Sequence, residues 1–189
     1  MPAARRTAAL ALALVAVLGV AAPPAQAGRG PVTCQGQGVD PDAEARHRAE
    51  TLVHAPLRTV WNLHTDVESW PSWQRPAAPM TIERLDPGPL RARSRFRATV
   101  DLPFPPTAQI VITSTVRQIR HHRCVRWTGP ADGPGYHIDG THVWTFTPTR
   151  TGVLVRTEET HTGPQADPNS DMGLDTWLAD LKAAAEAHP

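Results

Sequence analysis

The chain has 189 residues, with 19 Lys and Arg against 18 Asp and Glu, 40% hydrophobic side chains, 20% charged ones and two cysteines. That size and composition suit one globular domain and argue against wholesale disorder. A near-zero net charge lacks the basic footprint of a nucleic-acid binder, and two cysteines are too few for a disulfide-built miniprotein.

Residues 1–27 read as an export signal and not as part of the fold. Arg5 and Arg6 form a basic start, Ala8 to Ala22 an apolar stretch, and Ala25-Gln26-Ala27 a small-x-small cleavage site. The alternative is an uncleaved anchor, but the apolar stretch is shorter than the ~20 residues a spanning helix needs. Arg5-Arg6-Thr7-Ala8-Ala9-Leu10 lacks a full twin-arginine motif, which favours the general secretory route. Cleavage after Ala27 would leave a protein outside the cytoplasm with no membrane span.

In an oxidising compartment Cys34 and Cys124 are candidates for a single disulfide, the alternative being two unconnected thiols. A closed loop of about 90 residues is worth roughly 4–5 kcal/mol on the chain-entropy model. Neither cysteine has the neighbours of a catalytic nucleophile or the spacing of a zinc site.

Residues 28–45 are rich in Gly, Pro and Asp, lack an apolar period and read as a flexible arm preceding a domain over 46–189. Arg46 to Val53 is the first expected strand. Pro56 suits a helix start, and Val60, Trp61, Leu63 and His64 make the apolar stripe of the helix that follows. Residues 66–73 form a second short helical segment interrupted by Pro71. The period then changes to two, giving strands at Met80–Leu85, Ser94–Val100, Ala108–Ile119, Cys124–Gly129, His137–Thr147 and Val153–His161. Gly- and Pro-rich turns separate them, including Gly129–Gly135 and Pro148–Gly152. A long amphipathic helix over 171–187 closes the chain. Leu174, Trp177, Leu178, Leu181 and Ala185 lie on one side of it, and Asp167 to Asp171 supply a stop and an N-cap candidate. The order describes an α+β fold: an antiparallel meander facing a long terminal helix, with room for a cavity between them.

The segment Ala55-Pro56-x-x-x-Val60-Trp61-x-x-x-x-Asp66-x-x-x-Trp70-Pro71-x-Trp73 resembles the opening of the START-like (SRPBCC) helix-grip superfamily. The nearest branch is that of polyketide cyclase/dehydrase and lipid-transport-like proteins. Gly88-Pro89-Leu90, Ser94 to Arg97, Ile112 to Val116, Trp127-Thr128-Gly129, His142 to Phe146 and Thr157-Glu158-Glu159 extend the resemblance over about 46–187. It implies a curved sheet wrapped around the C-terminal helix and a cavity for lipids, sterols, polyketides or plant hormones. Some members cyclise or dehydrate polyketide intermediates. An exported address departs from the biosynthetic members, which work in the cytoplasm.

Pairing across a 148–152 turn would set Phe146 opposite Val153, Trp144 opposite Val155 and His142 opposite Thr157. Glu159 then lies diagonal to His142 on the same inner face. A His and a carboxylate facing an apolar cavity can act as general acid and base on a carbonyl compound. The plainer reading makes Glu159 a polar rim or a satisfied buried carboxylate, and His142 a partly buried strand residue. Phe96, Ile112, Ser114, Trp127, Trp144, Thr157, Leu174, Trp177 and Leu178 are the expected cavity lining. For the tryptophans, core filling is an equal alternative. The spacing His137-x-Asp139-x-x-His142 matches no standard zinc pattern, so no metal or cofactor is expected. The loop from Leu102 to Pro106 reads as a lid, a shallow membrane contact or a packed turn.

Three functional classes stay open. The favoured one is a secreted binder of a hydrophobic small molecule. Behind it stand a cyclase/dehydratase-type enzyme using His142 and Glu159, and a surface interaction domain whose cavity is filled by its own tryptophans.

Overall fold

A computed structural model describes residues 30–75, 79–102 and 108–188; the expected signal segment and most of the 102–106 loop lie outside them. Seven strands form one antiparallel sheet. They are β1 (Ala45–Val53), β2 (Met80–Arg84), β3 (Arg95–Leu102), β4 (Ala108–Arg120), β5 (Cys124–Gly133), β6 (Tyr136–Pro148) and β7 (Val153–Thr162). Their spatial order is β1-β7-β6-β5-β4-β3-β2, so the first strand returns beside the last. Between β1 and β2 lie helix α1 (Leu57–Thr65), a single 3₁₀ turn (Val67–Ser69) and helix α2 (Trp70–Trp73). Helix α3 (Leu174–Glu186) follows β7.

Alternation sorts the side chains. Phe96, Val116, Val125, Trp127, Trp144, Phe146, Val153 and Val155 point to one face and are buried there. Val60, Trp61 and His64 of α1, Trp70 of α2, and Leu174, Leu178, Leu181 and Ala185 of α3 cover that face. The α3 positions recur at the i, i+4, i+7, i+11 spacing of a single helix face. Each fully buried leucine contributes about 1.5–3 kcal/mol. Pro71 does not interrupt the second helical segment; it sits in the first turn of α2, where its missing N–H costs nothing.

The terminal helix is shorter than expected, 13 residues, because Met172 (φ 53°) and Gly173 (φ 67°) adopt left-handed backbone that cannot extend a helix. Asp171 serves the turn before it, accepting the Gly173 N–H at 2.9 Å, and no side chain caps the helix.

The 129–135 segment also differs from its expected role as a turn. Strand β5 runs on to Gly133, with Gly129 opposite Gly140 and Pro130 opposite Asp139, and the turn shrinks to Pro134-Gly135. Gly129 is there because the neighbouring strand leaves no room: a Cβ would overlap the Thr113 carbonyl oxygen. We expect Gly129→Ala to cost about 2–4 kcal/mol in urea unfolding, since the overlap is with backbone and not with a side chain that can rotate away. A loss below 0.5 kcal/mol would show that β4 and β5 separate easily at this point.

The N-terminal arm is packed and not free. Cys34 and Cys124 are joined, with Cα atoms 5.3 Å apart. Val32 (1% exposed), Cys34, Cys124 and Val143 form a small second core on the outer face of the sheet. Glu158, outward-pointing and 1% exposed, accepts hydrogen bonds from Val32 N–H (3.2 Å), Arg46 Nε (2.6 Å) and Arg48 (2.8 Å). Burial opposes its charge, and the three donors together hold its pKa below the ordinary carboxylate value. Composition suggested a free arm because none of these partners is near it in sequence.

Candidate functional site

A cavity of about 470 Å³ lies between the inner face of β2–β7, helix α2 and the start of α3. Its apolar walls are Trp70, Met80, Phe96, Ala98, Ile112, Trp127 and Trp177, with Ser114, His142 and Glu159 as the inward polar groups of the sheet. Gln74, Arg75, Asp171, Thr176 and Asp180 also contribute to its lining.

Of the expected lining, Phe96, Ile112, Ser114, Trp127 and Trp177 are found there. Trp144, Thr157, Leu174 and Leu178 are not: each is at most 2% exposed and packed in the core. Period-two alternation assigned the correct face of each strand but carries no information about position along it. At the β6–β7 end, α1 and α3 lie directly on the sheet and fill the space. The tryptophans therefore divide between both readings. Trp144 is core, whereas Trp70, Trp127 and Trp177 are wall.

His142 and Glu159 are direct cross-strand partners, closer than the diagonal expected. Phe146 faces Val155, Trp144 faces Thr157, and the connecting loop is Thr149–Gly152, closed by Thr149 N–H to Gly152 O at 2.8 Å. The register is two residues from that expected. A two-residue shift preserves the face, whereas one residue would have sent the pair to opposite sides.

The pair sits in a four-member polar line. Glu159 Oε2 is 3.2 Å from His142 Nδ1, and Glu159 Oε1 is 3.1 Å from His161 Nε2. His142 Nε2 lies 2.7 Å from Thr157 Oγ1. An ionised carboxylate only accepts, so the ring proton of His142 is assigned to Nδ1, leaving Nε2 to accept from the Thr157 hydroxyl. That hydroxyl also has the Val143 carbonyl at 3.2 Å, an acceptor it can turn to when the ring is protonated. Burial pushes His142 down to about 4, against the opposing pull of Glu159. Glu159 is held below the usual carboxylate value; burial raises it, but His142 and His161 together outweigh that. At neutral pH the site thus holds a neutral imidazole and a carboxylate.

The line runs hydroxyl, imidazole, carboxylate, yet Thr157 is fully buried and cannot attack a ligand. The group that can meet one is Glu159, with 18% of its side chain exposed; His142, at 3%, orients it. His161 was not anticipated, although the i, i+2 spacing from Glu159 in a strand signals a shared face. His64 was read only as part of a helical stripe. It is fully buried, and among the described residues neither ring nitrogen has a hydrogen-bond partner. Its ring centroid is 4.4 Å from that of Trp144, 5.2 Å from Phe146 and 5.6 Å from Trp127. Among the described residues no group of three or more His, Cys, Asp or Glu is arranged to hold a metal ion.

A curved antiparallel sheet gripping a C-terminal helix, with a cavity between them, defines a helix-grip protein. The chain belongs to the family described as polyketide cyclase/dehydrase and lipid transport, whose model matches residues 44–187. No curated protein matches it. Among solved structures it is similar to protein CV1439 from Chromobacterium violaceum, with a TM-score of 0.61 and 17% identity over 75% of this chain and 98% of that one. It is also similar to the hypothetical protein jhp0584 from Helicobacter pylori, with a TM-score of 0.60 and 18% identity over 77% and 90%. The di-domain ARO/CYC StfQ from the steffimycin biosynthetic pathway gives 0.57 and 20% over 75% of this chain and 45% of that chain. These identities speak to the fold. Family and fold together suggest a hydrophobic ligand-binding or cyclase role, and no helix among the described residues is long and apolar enough to cross a membrane.

Proposed function

We propose that the protein is an exported binder of a hydrophobic small molecule, lipid-like or aromatic, held between the sheet and helix α3. The observation that carries the reading is the 470 Å³ cavity with indole, phenyl and aliphatic walls and few inward polar groups. Sites of that size and lining suit drug-sized apolar ligands. Export is supported by the composition of residues 1–27 and by a disulfide of the kind that persists in oxidising compartments.

The test is native mass spectrometry of protein purified from its secretion host, followed by solvent extraction. We expect an extractable apolar mass, retained by the His142→Ala, Glu159→Gln double variant because the walls supply most of the affinity. A bare polypeptide under gentle ionisation, with no uptake from a panel of fatty acids, sterols, aromatic polyketides and aromatic amines, would sink the binder reading.

The Glu159 carboxylate favours a second reading, a cyclase. Here Glu159 would take a proton from a carbon beside a ligand carbonyl, while His142, tied to Thr157, holds the carboxylate in place. On that reading Glu159→Gln abolishes turnover of a poly-β-ketone probe while leaving its binding intact. The interaction-domain reading required a filled core, and an open cavity of this volume counts against it.

A further inference from the structure

Consecutive residues of β7 carry carboxylates on opposite faces, and their surroundings differ. Glu158, facing out, has two guanidinium groups and a backbone N–H. Glu159, facing the cavity, is paired among the described residues with the imidazoles of His142 and His161 alone. Its register neighbour on β1, His47, is paired with Asp175 instead, at 3.1 Å. A carboxylate in an apolar cavity without a permanent countercharge is costly unless something else supplies one.

The other charged lining residues are two carboxylates and one guanidinium, which leaves the lining net negative. Asp171 and Asp180 lie at the α3 side of the cavity, against Arg75, whose side chain is exposed to solvent. The walls nearest the His142–Glu159 pair are indoles. The His142 ring is 5.1 Å from Trp127 and 5.5 Å from Trp177, and Trp177 is 4.8 Å from Trp70. Indole faces attract cations through the ring quadrupole, most strongly where water is excluded. Ser114 adds a hydroxyl to the same cavity on a residue only 4% exposed, available to a polar substituent of a ligand.

We infer that the cavity selects an apolar organic cation, an amine or quaternary ammonium on an aromatic or aliphatic body, with its charge between the Trp70, Trp127 and Trp177 indoles and the Glu159 carboxylate. This rests on reading the cavity as an open ligand site. A fatty acid or other anion is disfavoured by the same charges.

The test compares benzyltrimethylammonium with its neutral isostere neopentylbenzene, following tryptophan fluorescence and calorimetry on the full mature chain. The cation is expected to bind at least as tightly as the isostere. Glu159→Gln should weaken the cation about tenfold, the worth of one close charge pair in a partly desolvated site, and leave the isostere within twofold. Asp171→Asn, on an exposed position and keeping the side-chain oxygen that accepts the Gly173 N–H, should weaken only the cation, by about two- to threefold; it keeps the comparison decisive should Glu159→Gln fail to fold. Tighter binding of the isostere, or equal losses for both probes in each variant, overturns the inference while leaving the binder reading in place. If neither probe binds and none of the apolar panel is taken up, the binder reading itself fails and the inference with it.

Discussion

Replacing His64 by leucine is expected to stabilise the protein by about 1 kcal/mol at pH 7 and to halve its sensitivity to mild acid. Both ring nitrogens of His64 are buried without a partner among the described residues, a loss of roughly 1–3 kcal/mol each relative to hydration. Against this stand its ring contacts with Trp144, Phe146 and Trp127, each kind worth about 0.5–1.5 kcal/mol. Leucine keeps most of the volume and removes the orphaned nitrogens, so the balance tips toward stabilisation. The acid effect has a definite sign. Burial holds His64 well below the ordinary imidazole value, with the neighbouring His142 adding to the depression, and His142 itself is held at about 4. The unfolded chain protonates both rings below about pH 6.5, so between there and the folded values it binds more protons than the native state. Stability is therefore full above that value and falls as pH drops, by up to about 1.4 kcal/mol per pH unit for each ring. Glu158 and Glu159, depressed carboxylates, act in the same direction at lower pH: their contribution is present above about 4.5 and is lost as pH falls through their folded values. His137 has the opposite sign, raised chiefly by its hydrogen bond to Asp132, but it is on the surface. Urea unfolding between pH 4.5 and 7.5 reads the slope. An unchanged slope in His64→Leu would show that this ring is not kept neutral by the fold.

Exchanging Cys34 and Cys124 for alanine is expected to cost about 4 kcal/mol, the closure entropy of a 90-residue loop. Besides the covalent closure, the arm rests on weaker ties. Arg126 Nε donates to Gly38 O at 2.8 Å, Gln35 Nε2 to Ile119 O at 3.2 Å, and Val32 N–H to Glu158. With the bridge gone these must order the arm alone, and we expect protease cleavage within residues 31–40 before global unfolding. Losing the arm also removes one donor from Glu158, while Arg46 and Arg48 remain to carry its charge. The sheet should therefore survive without the arm, at lower stability. Unchanged urea stability and an uncut arm in the reduced protein would show that packing and not the bridge holds the segment.

Both predictions turn on groups that the sequence displayed without revealing their significance. His64 lay on the apolar stripe of α1, indistinguishable by spacing from a surface-edge histidine. Its isolation among Trp144, Phe146 and Trp127 needs two strands and a helix brought together. The arm looked free because Glu158, its main polar partner, is 126 residues from Val32. Gly129 to Gly133 looked like a turn because Gly and Pro punctuate turns, and only the close approach of Thr113 explains a glycine within a strand. The His142–Glu159 pair was legible because parity is robust to a two-residue register change, whereas its contacts with Thr157 and His161 were set by the true register.

The amino-acid sequence by itself determined the order of the elements, the period of each strand, the buried side of α3 and the inward face on which His142 and Glu159 lie. These follow from local geometry, two residues per strand repeat and 3.6 per helical turn, which side-chain chemistry records directly. Only the tertiary structure decided which inward residues are core and which are wall. That boundary is drawn where α1 and α3 meet the sheet and where they stand away from it. The separation is a distance between surfaces far apart in the chain, to which no repeat along the sequence is sensitive.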